Sequence, residues 1–380
     1  MEPFEFQSRI RIVFGHRALL RLGQLARELG FRRTLLVADQ GVVGAGHAAQ
    51  ALGLLEAAGI EAMIYSDFGV NPDSAMVEAG CRFAEPLKPD SIVGLGGGSS
   101  LDAAKGINFL LTNGGAVADY RGYGKAATPL LPMIGVPTTA GTGSEAQSYA
   151  VISDAATHMK MACGDPSAAV RIALLDPELS MTAPRHVTAM AGFDAIAHAV
   201  ETAVTVRRTP LSDTFSHRAW HLLNDAFERV LLGPADLDAR SAMQLGSHFA
   251  GMAIEQSMLG AAHACSNPLT ARYNLAHGLA LASLLPHVVR WNARVALDLY
   301  QALLGSSRRP AGGQDAADTL ARRLEDLARA GGLALTLSAS GVEAADLPDL
   351  AVQAARQWTG TFNPRPFDAA GALEIYKAAM

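Results

Sequence analysis

The N-terminal half of the chain alternates short continuous apolar runs with stretches whose apolar residues recur at helical spacing. "RRTLLVAD" reads as a strand ending at Asp39, and "AGHAAQALGLLEAAG" after it as a helix. "IEAMIYSDF" gives a second strand, followed by the turn signal "NPDS" and the helix "AMVEAGCRFAEP". "DSIVGLGGGSS" is a third strand that runs into a glycine loop. "PLLPMIGVPTTAGTGSE" is a further strand that runs into a polar, glycine-rich loop. Alternating β and α segments predict a mostly parallel sheet with helices on both faces. From about Met181 onward the segments lengthen, take a helical period and carry few β-branched runs. Ala, Leu, Glu and Arg dominate there, as good helix formers do. The expected organisation is an α/β domain over residues 1–182 and an all-helical domain over residues 183–380.

One helical segment breaks its own pattern. "AGFDAIAHAVE" is apolar at most positions, yet Asp194 and His198 sit four residues apart within it. That spacing stacks both side chains on one face, one turn above the other. A carboxylate on an apolar face is costly unless it is paired or bound to a metal. Further on, "GAAHACSNPLTARYNLAHGLALASLLPHVV" places His263 and His277 fourteen residues apart, with a proline-marked break between them and His277 at the start of a helix. One carboxylate and three imidazoles from three segments suit a divalent first-row metal such as Fe or Zn. The same spacing also suits a buried Asp194–His198 pair with no metal at all. His287 and His158 read as structural or surface residues. Cys265 lies two residues from His263 and faces elsewhere on a helix.

The two glycine-rich loops have their own logic. In "SIVGLGGGSSLDAAKG" the glycines let backbone N–H groups close on an anion. Ser99 and Asp102 are expected to open the next helix as a variant capping box, and the helix N-terminus favours a pyrophosphate. In "GVPTTAGTGSEAQ", Thr138, Thr139, Thr142 and Ser144 offer hydroxyls beside two flexible glycines. Hydroxyls and amides at the ends of adjacent parallel strands suit phosphates and ribose. Asp39, closing its strand, suits the adenosine ribose and repels a 2′-phosphate, which favours NAD over NADP. Each of these features also has a plain reading, as a turn, a surface loop and a cap.

Composition narrows the class. The chain of 380 residues is 49% hydrophobic and 18% charged, enough for two cores. The formal charge of -5 leaves no electrostatic footprint for nucleic acid. The basic pairs Arg32-Arg33, Arg207-Arg208 and Arg308-Arg309 read as solvated surface. Three scattered cysteines make no disulfide framework and point to a reducing compartment. The start "MEPFEFQSRI" lacks an apolar signal core, and "LALASLLPHVV" is too short to cross a membrane. The expectation is a cytoplasmic protein with neither nucleic-acid nor membrane partners.

Taken together, these residues resemble the iron-containing (group III) alcohol dehydrogenase family. The likeness covers most of the chain. It rests on "FGHRALLRLG", "GLGGGSSLDAAKG", "PTTAGTGSE", "LLDPEL", "GFDAIAHAVE", "YNLAHG", "LLPHVVRWN" and "NPRP". It implies an α/β N-terminal Rossmann-like domain with a parallel sheet and an all-α C-terminal domain, a plan shared with dehydroquinate synthase-like proteins. It implies Asp194, His198, His263 and His277 as metal ligands and catalytic residues, with Fe2+ as the ion and Zn2+ as the alternative. For NAD it implies Gly97, Gly98 and Ser99 at the pyrophosphate and Asp39 and Asn71 near the adenosine half. Thr138, Thr139, Thr142, Lys160 and Leu179 then line the rest of the cofactor groove.

The activity implied is hydride transfer between nicotinamide and a small alcohol or aldehyde, with the metal as Lewis acid, in an enzyme that is a homodimer by family default. Two departures stand out: Asn267 where the family commonly has His, and Ser100 where it frequently has Pro. The rival readings are a hydroxyacid–oxoacid transhydrogenase and a non-catalytic protein that binds NAD and metal.

Overall fold

The computed structural model of the chain describes residues 4–305 and 315–380. The Arg308-Arg309 pair lies outside them. By its internal contacts the chain divides into two compact units, Glu5–Ala183 and a second that contains Pro184–Met380.

The described residues of the first unit form nine strands: β1 (Arg11–Phe14), β2 (Arg33–Val37), β3 (Glu61–Tyr65), β4 (Ser91–Gly96), β5 (Gly122–Tyr123), β6 (Met133–Pro137), β7 (Tyr149–Ser153), β8 (Lys160–Gly164) and β9 (Ile172–Leu175). Its helices are α1 (Leu22–Glu28), α2 (Gln40–Gly44), α3 (His47–Ala57), α4 (Ser74–Ala84) and α5 (Gly98–Asn113). Six strands make one parallel sheet in the order β1-β9-β6-β4-β2-β3. The strands β5, β8 and β7 form a smaller second sheet, in which β7 and β8 run antiparallel. β4 and β6 are buried at every position, as central parallel strands are. Their side chains Val93, Leu95, Ile134 and Val136 pack with Leu36 of β2, Leu22 and Leu25 of α1 and Leu55 of α3.

Strand order locates the ligand end of this unit. β3 lies on one flank of β2, while β4, β6 and β9 continue from the other. The direction of winding therefore reverses between β2 and β4. In open parallel sheets, ligands bind outside the carboxyl ends of the strands at such a reversal. Asp39 follows β2 there and Gly97 follows β4.

The second unit holds α6 (Arg185–Thr202), α7 (Pro210–Leu232), α8 (Leu237–Ser257), α9 (Ala261–Tyr273), α10 (His277–Leu304), α11 (Ala316–Gly331), α12 (Leu347–Ala355) and α13 (Ala369–Ala378). α6 is buried continuously from Gly192 to Thr202, because it is apolar on nearly every face and lies among α7, α8 and α10.

Two local expectations change. α5 starts at Gly98 with Gly97 as its N-cap and no side-chain cap, so the Ser99–Asp102 capping box does not form. Ser99 Oγ instead accepts from the Asn71 N–H at 3.2 Å, and Asp102 accepts from Ser144 Oγ at 2.7 Å. Nor does Pro268 break its helix, since α9 runs through it to Tyr273. The chain turns at Asn274, whose φ of 51° is the left-handed conformation that asparagine tolerates. A proline removes one N–H, and here tertiary packing holds the helix past it.

Candidate metal centre and nucleotide loops

α6 presents Asp194 and His198 from successive turns, α9 presents His263 from its first turn, and α10 begins with His277. The close approach of α10 to α6 depends on Gly278. A Cβ at that position would lie 2.1 Å from the Met190 carbonyl oxygen of α6. Bare backbone there lets the start of α10 settle against α6.

The four side chains converge. Asp194 Oδ1 lies 3.3 Å from His198 Nε2, 3.5 Å from His263 Nε2 and 3.8 Å from His277 Nε2. Ligand atoms about 2.1 Å from a shared tetrahedral centre sit about 3.4 Å apart, a spacing that the three distances from Asp194 Oδ1 approach, although His198 falls outside the tighter group of Asp194, His263 and His277. One ligand atom from each of Asp194, His263 and His277 falls within a 4.8 Å group. The His198 ring stacks on His263, with centroids 4.8 Å apart. Asp194 Oδ1 and His263 Nε2 are buried and have no hydrogen-bond partner. Buried polar atoms left in that condition are costly, and an ion between them removes the cost. The donor set therefore fits a divalent first-row cation.

The electrostatics agree with the geometry. Burial opposes ionisation of Asp194, but His198, His263 and His277 overcome it and hold the carboxyl well below the usual carboxylate range. Burial likewise opposes a charged His263, yet Glu201 and Asp194 hold its pKa up at about 9.

Glu201 is the residue that sequence reasoning missed. Its Oε2 pairs with His263 Nδ1 and its Oε1 accepts from the Ala262 N–H at 2.7 Å. Its signal was present in the sequence, since Asp194, His198 and Glu201 stand at i, i+4 and i+7 of one helix face. The "NPRP" stretch also acquires a place here. Asn363 Oδ1 accepts from the Ala261 N–H at 3.2 Å and pairs with Asn292 of α10 through reciprocal amide bonds. His277 Nδ1 lies 3.3 Å from Ser266 Oγ. Asn267, one turn beyond His263, donates to Gln357 Oε1 at 3.2 Å. Neither His287 nor His158 joins the group around Asp194.

In the α/β unit, the loops after β4 and β6 start level, with Gly96 opposite Pro137. Gly97, Gly98 and Ser99 are half-buried at the start of α5. A Cβ on Gly98 would come within 2.5 Å of Thr142 Cγ2, and one on Gly97 within 3.3 Å of Thr139 Oγ1. The two loops are thus held together by the absence of side chains. Thr138 is buried and its N–H donates to Gly96 O at 3.0 Å. Thr142 Oγ1 accepts from the Ser144 N–H. Asp39 N-caps α2 by accepting from the Val42 N–H at 3.1 Å, and its Oδ2 accepts from Ser100 Oγ at 2.8 Å. Asn71 is exposed, at a φ of 55°. Lys160 opens β8, and its charge acts on Asp102 of α5. Leu179 is a buried member of the sheet's apolar core.

The family described as iron-containing alcohol dehydrogenase matches residues 10–177, and the C-terminal part of the Fe-containing alcohol dehydrogenase family matches residues 188–380. The chain belongs to the iron-containing alcohol dehydrogenase family. It is 36% identical to alcohol dehydrogenase 4 of Schizosaccharomyces pombe over 282 residues, covering 74% of this chain and 67% of that one. Against the NAD-dependent methanol dehydrogenase of Bacillus methanolicus it is 30% identical over 371 residues, with 97% of both chains covered. The solved alcohol dehydrogenase from Oenococcus oeni matches the whole chain at a TM-score of 0.95 and 28% identity, with all of that chain covered.

Proposed function

We propose that this member of the family interconverts a small alcohol and its aldehyde with NAD(H) as hydride partner, using Asp194, His198, His263 and His277 to hold one divalent ion. Family membership makes the chain an NAD-linked, metal-dependent alcohol dehydrogenase or aldehyde reductase. The observation that carries the ligand assignment is the convergence of three imidazole Nε2 atoms on the buried Asp194 Oδ1. Iron is the favoured ion by family, with zinc the alternative that the same ligands accept.

A divalent ion in this set supplies Lewis acidity to a substrate oxygen. The chain's own residues do the rest. Asp194 gives the centre its one anionic donor, and the three rings give neutral nitrogens. Gly97, Gly98 and Ser99 offer first-turn amides of α5 that no side chain caps, which suits a pyrophosphate. Asp39 and Asn71 serve the adenosine half. The carboxylate of Asp39, already anchored by Val42 and Ser100, retains lone pairs for ribose hydroxyls. Thr138, Thr139, Thr142, Lys160 and Leu179 complete the cofactor surface. The Asn267 amide neither gains nor loses a proton at neutral pH, so it supplies no acid–base group for proton exchange.

Elemental analysis of the purified protein, joined to an NAD-reduction assay over a panel of alcohols, diols and hydroxy acids, tests the reading. About one iron or zinc per chain and free NADH in solution are expected. Iron-loaded protein that produces no NADH from any alcohol and consumes none with any aldehyde overturns it.

The assembly and location belong to the same proposal. β1 is an edge strand of the six-stranded sheet, and its Ile12 and Phe14 side chains are exposed, which supports a homodimer. Light scattering that gives a monomer at assay concentration rejects this. Cys81, Cys163 and Cys265 are free thiols, in keeping with a cytoplasmic enzyme. Among the described residues, no helix is long and apolar enough to cross a membrane.

A further inference from the structure

We propose that Glu201 is the positioning residue of the metal centre, fixing the His263 ring as the Nδ1–H tautomer so that Nε2 is presented to the ion. The inference rests on the reading of Asp194, His198, His263 and His277 as ligands and names a fifth residue that reaches the centre through one of them.

The geometry is specific. Glu201 is 3% exposed and His263 is 5% exposed, so water does not compete for either. One carboxylate oxygen takes the Ala262 N–H and the other takes Nδ1 of the next residue in the chain. The carboxylate therefore grips backbone and ring together at the first turn of α9. A carboxylate has no proton to give at neutral pH, so the ring nitrogen facing it is the donor. In the neutral form that can ligate, the ring has its lone pair on Nε2, which lies 3.5 Å from Asp194 Oδ1. An imidazole that ligates a metal through one nitrogen and donates to a carboxylate from the other is a recurrent arrangement, and the carboxylate sets both tautomer and ring orientation.

The Ala262 amide makes this testable with one isosteric change. A backbone N–H only donates, so Glu201→Gln must turn its Oε1 toward Ala262. Its NH2 group then faces His263 Nδ1, which has to accept. The ring proton moves to Nε2, the atom that would ligate. Glu201→Gln thus keeps the size and the amide contact but reverses the tautomer. Glu201→Asp keeps charge and acceptors but draws them back by one methylene.

The experiment measures Co2+ affinity of the metal-stripped full-length protein by its visible absorption, in competition with a chromophoric chelator. Thermal unfolding of the same metal-free samples is recorded alongside. Glu201→Gln is expected to lose about 10–100-fold in affinity while the metal-free unfolding midpoint stays within a few degrees of the parent. Glu201→Asp should recover part of the loss. Affinity in Glu201→Gln within about twofold of the parent overturns the proposal. So does a loss matched by collapse of the metal-free midpoint in both variants, which marks a purely structural cap. Parent protein that binds no Co2+, or Asp194→Ala protein that binds it as well as the parent, instead overturns the ligand set and this inference with it.

Discussion

The glycine loops of the α/β unit and the Asp194 cluster of the helical unit, the two regions proposed to bind ligands, differ in how far their side-chain polar atoms are satisfied. In the loops, the side-chain hydroxyls of Ser99 and Thr142 and the Asp39 carboxylate have partners in the free protein. Ser99 Oγ holds the Asn71 amide, Thr142 Oγ1 holds the Ser144 amide, and Asp39 holds Val42 and Ser100. In the cluster, Asp194 Oδ1 and His263 Nε2 are buried with no hydrogen-bond partner. The first has its side chains satisfied and leaves only backbone amides at the start of α5 to be met. On the proposed reading an ion would complete the second, and would then enter the fold's energetics as well as its chemistry.

The largest effect should come from cutting the dependent site. Asp194→Ala or His263→Ala should lower turnover by at least about 1,000-fold, as loss of a group supplying several kcal/mol to the transition state does. NAD binding followed by nicotinamide fluorescence or calorimetry should change little. Full activity in either purified variant would end the ligand assignment.

The converse cut belongs to the glycine loop. Gly98→Ala places a methyl group within 2.5 Å of Thr142 Cγ2 and should weaken NAD by about 1–3 kcal/mol, the usual cost of overpacking. Metal content should stay at the parent level. A fall in bound metal with NAD affinity intact would reverse the assignment of the two regions.

Removing the ligands themselves sharpens the contrast. Chelation should lower the unfolding midpoint markedly, because an ion present at 100 times its Kd stabilises by about 2.7 kcal/mol. Withdrawing NAD at an equally saturating level forfeits the same binding energy, but the denaturant dependence should separate the two. Metal-free protein should show local opening around α6 and α9 by hydrogen exchange, while the loops after β4 and β6 stay protected without NAD. Equal protection in both regions would erase the distinction.

A smaller effect concerns cofactor choice. Asp39→Gly should improve use of NADP by about tenfold, the scale of a relieved like-charge contact of 1–2 kcal/mol. Glycine costs an N-cap only a few tenths of a kcal/mol, so α2 should survive. Parent protein that already uses both cofactors equally would refute the role given to Asp39.

The smallest expected effect is a titration. Burial lifts the Asp102 carboxyl above its ordinary 3.8, against the pull of Lys105, Lys160 and the Ser144 hydroxyl. The folded state thus prefers the protonated acid. Its contribution to stability is full below 3.8 and is lost as pH rises through the raised folded value. Asp102→Asn should flatten that decline in urea midpoints measured from pH 4 to 7. A decline as steep as the parent's would assign it to other groups.

How much of this was legible in the sequence follows from what each element depends on. β2, β4 and β6 announce themselves as apolar runs, since central parallel strands are covered on both faces, and the edge strand β3 is apolar at its last four positions. β1 and β9 are four residues each, and β1 is exposed at three of its four positions, so neither stands out from its surroundings. The small sheet of β5, β7 and β8 is set by tertiary pairing of short mixed segments. Asp194 and His198 were legible because polar residues on a buried helix need a reason. Glu201 followed the same rule one turn on. The Ser99–Asp102 cap and the break at Pro268 failed because local preference lost to contacts made from elsewhere: Asn71 and Ser144 in one case, the packing around α9 in the other.

Gly278 carries a consequence for how the chain tolerates change. It binds nothing and moves no proton, yet a single methyl there would collide with the Met190 carbonyl and push His277 off its mark. In a saturation survey scored for activity, position 278 should be as unforgiving as the ligands themselves. A chemist hunting only for reactive side chains would pass over a residue whose contribution is empty space.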